Sequence, residues 1–316
     1  MPIQLPPISR RSFLSGGIAI SGHSLLQRCA SAATDRTIQD LHANRIALLA
    51  DAHVSSDPTT FIDGTKWTGT PVKGGEHEGV NMAESLGHVV QDVLATRPRP
   101  AHAIVNGDCA NDTGTPGEYR EFLRLIEPLR KSGITVHVTI GNHDNRANLW
   151  NAAPGLKLEQ ADRHVGAFQL PAVEVVLLDS EQGTIGESQF QWLEQHLARD
   201  AHKPAIVFFH YNPQPHTEGR PIDGFSNRDG EILLTILQRH RRVKAYFYGH
   251  THNWSALNPD GLHAINQPCV GPYFAKGKPY GWVDMRLRNG GAHLELRCVD
   301  PDHPNHGERH VLGWRT

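Results

Sequence analysis

Five times along this chain a short apolar run ends in glycine, aspartate or histidine. Arg45 to Ala50 ends in Asp51-Ala52-His53, and Ala101 to Asn106 ends in Gly107-Asp108. Thr135 to Ile140 ends in Gly141-Asn142-His143-Asp144, and Ala205 to Phe209 ends in His210. Val243 to Tyr248 ends in Gly249-His250-Thr251-His252. Runs of this length, rich in β-branched residues, read as buried strands. Crowding carboxylate, amide and imidazole groups at a strand end is costly for a plain turn. It is useful only if separate strands deliver them to a common point.

The segments between the runs supply the topology. Asn81 to Thr96 places Met82, Leu86, Val89, Val90 and Leu94 at helical spacing. Glu118 to Lys131 does the same with Phe122, Leu123, Leu125, Ile126 and Leu129, and Gly133 reads as its C-terminal cap. Strand, helix, strand, helix, strand implies an α/β fold with parallel strands and right-handed crossovers. Ligands on such sheets lie beyond the carboxyl ends of the strands, where Asp51, Asp108 and Asn142 fall. Beyond Asp144 we expect a loop holding Arg146 and Trp150, then a hairpin from Arg163 to Leu178 turning at Pro171. Helices follow at Gln189 to Leu197 and Ile232 to Leu237, with meandering strands from His263 to Val299. Residues 54–79 and 211–229 are rich in Gly, Pro or Thr and read as long loops over the strand ends. The two halves should pack as one sandwich, a single domain over residues 40–300 with a C-terminal tail over 301–316.

Composition narrows the class. The 316 residues are 38% hydrophobic and 20% charged, with a formal net charge of −2, so no nucleic-acid polymer is indicated as partner. No stretch is long and apolar enough for an ordinary membrane span. None of the four cysteines forms a C-x-x-C pair. A Cys269–Cys298 bridge is compatible with an oxidising compartment, and Cys109 reads as a small buried residue beside the site.

The N-terminus reads as an address. Ser9-Arg10-Arg11-Ser12-Phe13-Leu14 resembles the twin-arginine export motif, a weakly apolar segment runs from Gly16 to Leu26, and Ala30-Ser31-Ala32 resembles a cleavage site. Residues 1–32 are expected to be a cleaved signal read by the twin-arginine export machinery, giving a periplasmic or extracellular protein. Its removal takes Arg10, Arg11 and Arg28 and no acid, leaving 28 basic against 33 acidic residues, a formal charge of −5.

The strand-end residues are oxygen and imidazole donors without thiolate, a set that suits Mn, Fe or Zn better than Ca. Asp51 and His53, two apart, can lean the same way, and His250 and His252 repeat the spacing. Asp108 is placed to bridge two ions. Two such ions can share a hydroxide and clamp the attacking and leaving oxygens at phosphorus. His143, oriented by Asp144, would donate a proton to the leaving oxygen or stabilise charge on the phosphoryl group. Arg146 and Tyr211 are candidate substrate contacts.

In this order the motifs DAH, NGD, GNHD, FFH and GHTH resemble those of the calcineurin-like metallophosphoesterase superfamily, from about Ile46 to His252. The resemblance implies a four-layered α/β/β/α sandwich. It implies a first ion held by Asp51, His53, Asp108 and His252, and a second held by Asp108, Asn142, His210 and His250, with His143 assisting. GDCANDTGTPGEY, GNHDNRANL and GESQFQWLEQHL further resemble bacterial class III cyclic-nucleotide phosphodiesterase-like members. Two positions depart from that class: Asn111 stands where an acid is usual, and His210-Tyr211-Asn212-Pro213 where His-His-Pro-Pro is usual. The implied substrate is a small phosphoester, of cyclic-nucleotide or glycerophosphodiester type. A phosphomonoesterase or nucleotidase on the same centre is the rival enzyme, and an exported, metal-stabilised binding module is the rival from another class.

Overall fold

The computed structural model describes residues 42–63, 79–158, 163–199, 203–213, 227–274 and 277–316. The expected signal, residues 1–32, lies outside the described residues, as do most of the two long loops. Twelve strands are described: β1 Arg45–Ala50, β2 His102–Asn106, β3 Thr135–Thr139, β4 Gly166–Gln169, β5 Glu174–Leu177, β6 Ala205–Phe208, β7 Val243–Tyr248, β8 Ser255–Leu257, β9 His263–Asn266, β10 Gly281–Arg288, β11 Gly291–Cys298 and β12 Arg309–Gly313. Five α-helices are described: α1 Met82–Ala95, α2 Pro116–Lys131, α3 Arg146–Ala152, α4 Glu187–Arg199 and α5 Asn227–Arg239. Among the described residues no helix is long and apolar enough to cross a membrane.

Two six-stranded mixed sheets form, in the orders β12-β11-β10-β1-β2-β3 and β4-β5-β6-β7-β9-β8. Period-two alternation along each strand sorts the side chains into three apolar layers. Ile46, Leu48 and Ile104 of the first sheet pack against Val175, Leu177, Ile206 and Phe208 of the second. Ala47, Leu49, Val105 and Val138 face the other way, onto Leu86 and Val89 of α1 and Phe122 and Ile126 of α2. On the far side, Val176 and Val207 meet Phe190 and Leu193 of α4 and Leu233 and Leu237 of α5. The order α/β/β/α follows. Each fully buried Leu, Ile or Phe contributes about 1.5–3 kcal/mol relative to exposure.

Helix starts follow local chemistry. Asn81 caps α1 by accepting from Glu84 N at 3.0 Å, and Thr115 and Glu118 form a reciprocal capping box on α2 with Pro116 in its first turn. The hairpin turning at Pro171 forms as expected, with Gln169 opposite Glu174. Two expectations are corrected. The segment with Arg146 and Trp150 is helical, because Asn145 accepts from Asn148 N and starts a helix too short to show a period in sequence. The stretch 301–316 holds β12, paired with β11. Arg315 is buried there, donating to the carbonyls of Leu237 and Val243. Cys269 and Cys298 are both free and buried; Cys269 donates instead to the Asp51 carbonyl at 3.0 Å.

One half-buried histidine pair makes stability depend on pH. His102 Nδ1 and His137 Nε2 lie 3.1 Å apart, and the His137 ring stacks flat on Phe168 at 3.7 Å. Burial, then the neighbouring His102, pushes His137 down to about 3. The folded state therefore favours the neutral ring. Its contribution is complete above the ordinary value of 6.5 and is lost as pH falls from there toward 3. At pH 5 the loss is about 2 kcal/mol, at about 1.4 kcal/mol per pH unit. Denaturant unfolding at pH 7 and pH 5 checks this: wild type should lose about 2 kcal/mol more than His137→Gln, and equal losses would contradict it.

Candidate dinuclear metal centre

The three central strands of the first sheet end side by side. Ala50 pairs with Asn106, and Asn106 with Thr139. Asp51, Asp108 and Asn142 therefore leave one edge. In the second sheet, parallel β6 and β7 release His210 and His250 beside it. A bridge between Ile140 and Asp179 joins the two groups of strands.

Five of the residues turn sharply as they leave their strands. Asp51, His53, Asp108, His250 and His252 all have left-handed φ, from 42° to 67°. For side chains other than glycine this costs about 1–3 kcal/mol each and marks a constrained site. Backbone bonds hold the turns: Asp51 N donates to Gly107 O at 3.2 Å and His53 N to Asp108 O at 2.8 Å. His250 N donates to both Asp51 carboxylate oxygens, at 3.0 and 3.2 Å. His143 N donates to Asp108 Oδ1 at 2.9 Å.

The side chains converge. His252 Nε2 lies 3.1 Å from His53 Nε2 and 3.3 Å from Asp51 Oδ1. Asp108 Oδ2 lies 3.6 Å from His53 Nε2 and 3.2 Å from His210 Nε2. His250 Nδ1 is 3.0 Å from Asn142 Oδ1. Asp108 takes part in both halves, grouped once with His53 and His143 and once with His210 and His250. The donor set fits metal ions: bonds of 2.0–2.1 Å in a tetrahedron separate the donors by about 3.3–3.4 Å.

Partners behind the rings aim them. His210 Nδ1 faces the Asn106 carbonyl at 3.0 Å and His252 Nδ1 the Tyr273 carbonyl at 2.5 Å. Donation there fixes the tautomer and turns each Nε2 to the rim. Burial works against charge on His210, yet Asp108 and Asp51 hold its imidazolium up to about 9. Burial, reinforced by His210, pushes His250 down to about 4. Asp108 stays ionised well below the usual carboxylate range despite burial, with His210 its strongest support.

Three motif glycines are required by contact. A Cβ on Gly107 would lie 2.3 Å from His210 Nδ1, one on Gly141 2.2 Å from Asp108 Oδ1, and one on Gly249 2.6 Å from Asp51 Oδ2. Each cradles a donor that no other residue type would let settle.

A family model, calcineurin-like phosphoesterase, matches residues 44–254 and so covers most of the chain and every donor named above. The chain belongs to the calcineurin-like phosphoesterase family. It is a hydrolase of phosphoester bonds. It is 27% identical over 248 residues to the 3',5'-cyclic adenosine monophosphate phosphodiesterase CpdA of Pseudomonas aeruginosa, covering 72% of this chain and 88% of that one. To the glycerophosphodiester phosphodiesterase GpdQ of Enterobacter lignolyticus it is 28% identical over 173 residues, covering 52% of this chain and 60% of that one. Its fold is similar to that of a dimetal phosphatase from Danio rerio, with a TM-score of 0.65 at 17% identity, covering 86% of this chain and 99% of that one.

Within this phosphoesterase Asp144, Arg146 and Tyr211 sit otherwise than expected. Asp144 does not touch the His143 ring. Its carboxylate accepts from Cys109 N at 3.1 Å, Ala110 N at 3.2 Å, Gly141 N at 3.0 Å and Tyr119 Oη at 3.1 Å. It ties the turn after β2 to the turn after β3. Burial and Asp108 push its carboxyl up to about 6, against the pull of those N–H donors. His143 Nδ1 faces the main-chain carbonyl of Asn111 at 2.8 Å instead. Arg146 is committed to Asp179 at 2.5 Å and Glu181 at 2.8 Å, which ties α3 to the turn after β5. Tyr211 is buried with its ring 4.4 Å from that of His250 and edge-on to His210 at 5.6 Å, so it backs the rim. The supporting residues Asn106 and Tyr119 were not anticipated. A polar Asn closing an otherwise apolar strand was the one sequence signal available.

Proposed function

We propose that this phosphoesterase is an exported phosphodiesterase with two transition ions. Asp51, His53, Asp108 and His252 hold one ion, and Asp108, Asn142, His210 and His250 the other. The observation that carries this reading is the sharing of Asp108 between the two donor groups at one rim. Bound there, the ions supply a polarised phosphoryl oxygen and a water of lowered pKa. His143 donates through Nδ1 to the Asn111 carbonyl. That leaves Nε2 to face the site, and in the imidazolium form, with both ring nitrogens protonated, Nε2 carries the proton given to the departing ester oxygen. The likeness to relatives named for cyclic-nucleotide and glycerophosphodiester substrates supports diesters as the substrate class.

Purified protein with Mn should cleave bis-p-nitrophenyl phosphate faster than p-nitrophenyl phosphate; the reverse order would favour a monoesterase. His143→Ala should lower turnover about 100-fold, the lower range of general acid catalysis, with bound Mn unchanged. Unchanged turnover would overturn the assigned proton role. Export rests on Arg10-Arg11 and the small residues at 30–32. Cell fractionation should find the wild type in the periplasm and the Arg10→Lys, Arg11→Lys double variant in the cytoplasm. Equal export of both would remove the twin-arginine route.

A further inference from the structure

Asn106, the last residue of β2, is fully buried between the two sheets. Its side-chain amide donates to the Gln267 side-chain oxygen at 2.7 Å and the Phe209 carbonyl at 3.0 Å, and approaches the Phe247 carbonyl at 3.4 Å. Its Oδ1 accepts from Thr139 Oγ1 at 2.7 Å. Its main-chain carbonyl receives His210 Nδ1. Three of these partners, Thr139, Phe209 and Phe247, lie within three residues of a donor, as does Asn106 itself. Asp108 follows Asn106 by two residues, and Asn142 follows Thr139 by three. His210 follows Phe209 directly, and His250 follows Phe247 by three.

We propose that Asn106 is a positioning residue for the ion pair: its amide joins the strand end that delivers Asp108 to the strand ends that deliver His210 and His250, and so sets the spacing between the carboxylate half and the imidazole half of the site. This rests on the two-ion reading above. The physical reason is specific. Away from the rim the two sheets pack through apolar side chains, which fix the separation of layers but tolerate sliding. A buried amide with directional partners on both sheets does not, because each broken bond leaves an uncompensated polar group. Asn106 also fixes the His210 tautomer, and a ring turned by its partner is what makes a metal ligand.

The test measures Mn binding by isothermal titration, apart from activity, in wild type, Asn106→Ala and Thr139→Val. Wild type is titrated first: failure to bind Mn would defeat the two-ion reading itself. Given binding by wild type, Asn106→Ala should need about 10-fold or more Mn for half-occupancy of the weaker ion, the scale seen when a ligand loses its outer partner. Excess Mn should restore most of its turnover. A residue that only supports the core would lower the melting temperature and leave Mn affinity unchanged, and that result overturns the proposal. Thr139→Val keeps the volume of the side chain and removes one bond to Asn106. It should weaken Mn binding in the same direction but less, and its effect should vanish in an Asn106→Ala background. Unchanged affinity in Thr139→Val, or simple additivity of the two, would equally overturn it. If Asn106→Ala does not fold, Thr139→Val alone decides.

Discussion

Asp108→Asn is expected to abolish most hydrolysis while leaving the fold intact. Asparagine keeps the oxygen that accepts from His143 N and removes the charge that both donor groups share. A two-ion clamp supplies several kcal/mol to the reaction, so turnover should fall about 1000-fold or more at saturating substrate. Loss of the shared carboxylate should also erase most of the rise in melting temperature that Mn gives the wild type, because that rise is set by affinity for the folded state. Chelator-treated wild type and variant should then melt close together. A variant that retained both the Mn-dependent rise and turnover would show that Asp108 is not the shared ligand.

The second large effect concerns Asp144. Its four donors come from the turns after β2 and β3 and from Tyr119 on α2. Asp144→Ala leaves three buried N–H groups and a phenol without their acceptor. Each such group costs about 1–3 kcal/mol, and partial relaxation of the turns should leave a loss of about 3 kcal/mol or more in unfolding free energy. Hydrolysis should fall with it, since Asp108 and Asn142 leave those same turns. Had Asp144 served to orient His143, turnover would fall while stability stayed near the wild-type value. Chemical denaturation and turnover measured on the same preparation separate the two.

Much of the architecture was legible because it is written in local chemistry. The strand ends at Asp51, Asp108 and His250 were visible as polar groups closing apolar runs, and the capping chemistry of α1 and α2 bounded the helices. The seven proposed donors stood out in the sequence through their place at strand ends and through the resemblance of their motifs. What stayed hidden was the identity of partners. Asp144 was assigned to its neighbour His143, yet at the turn its carboxylate faces backward to Gly141 N and across to Cys109 N. Adjacency in sequence says nothing of that. Arg146 looked free for phosphate, and only the fold brings Asp179, 33 residues away, to claim it. The outer strand β12 was missed because an edge strand carries half the pattern of a buried one: Leu312 is covered while Val311 stands in solvent. Asn106 looked like a motif letter, and its role depends on carbonyls of two strands more than a hundred residues later.

The central claim is that Asp51, His53, Asp108, Asn142, His210, His250 and His252 together hold a pair of ions that the hydrolysis requires. Elemental analysis of desalted, active protein tests it most directly. The expected result is about two transition ions per chain, with diester cleavage lost on chelation and regained on adding Mn. Full activity in protein stripped of transition ions would contradict the account.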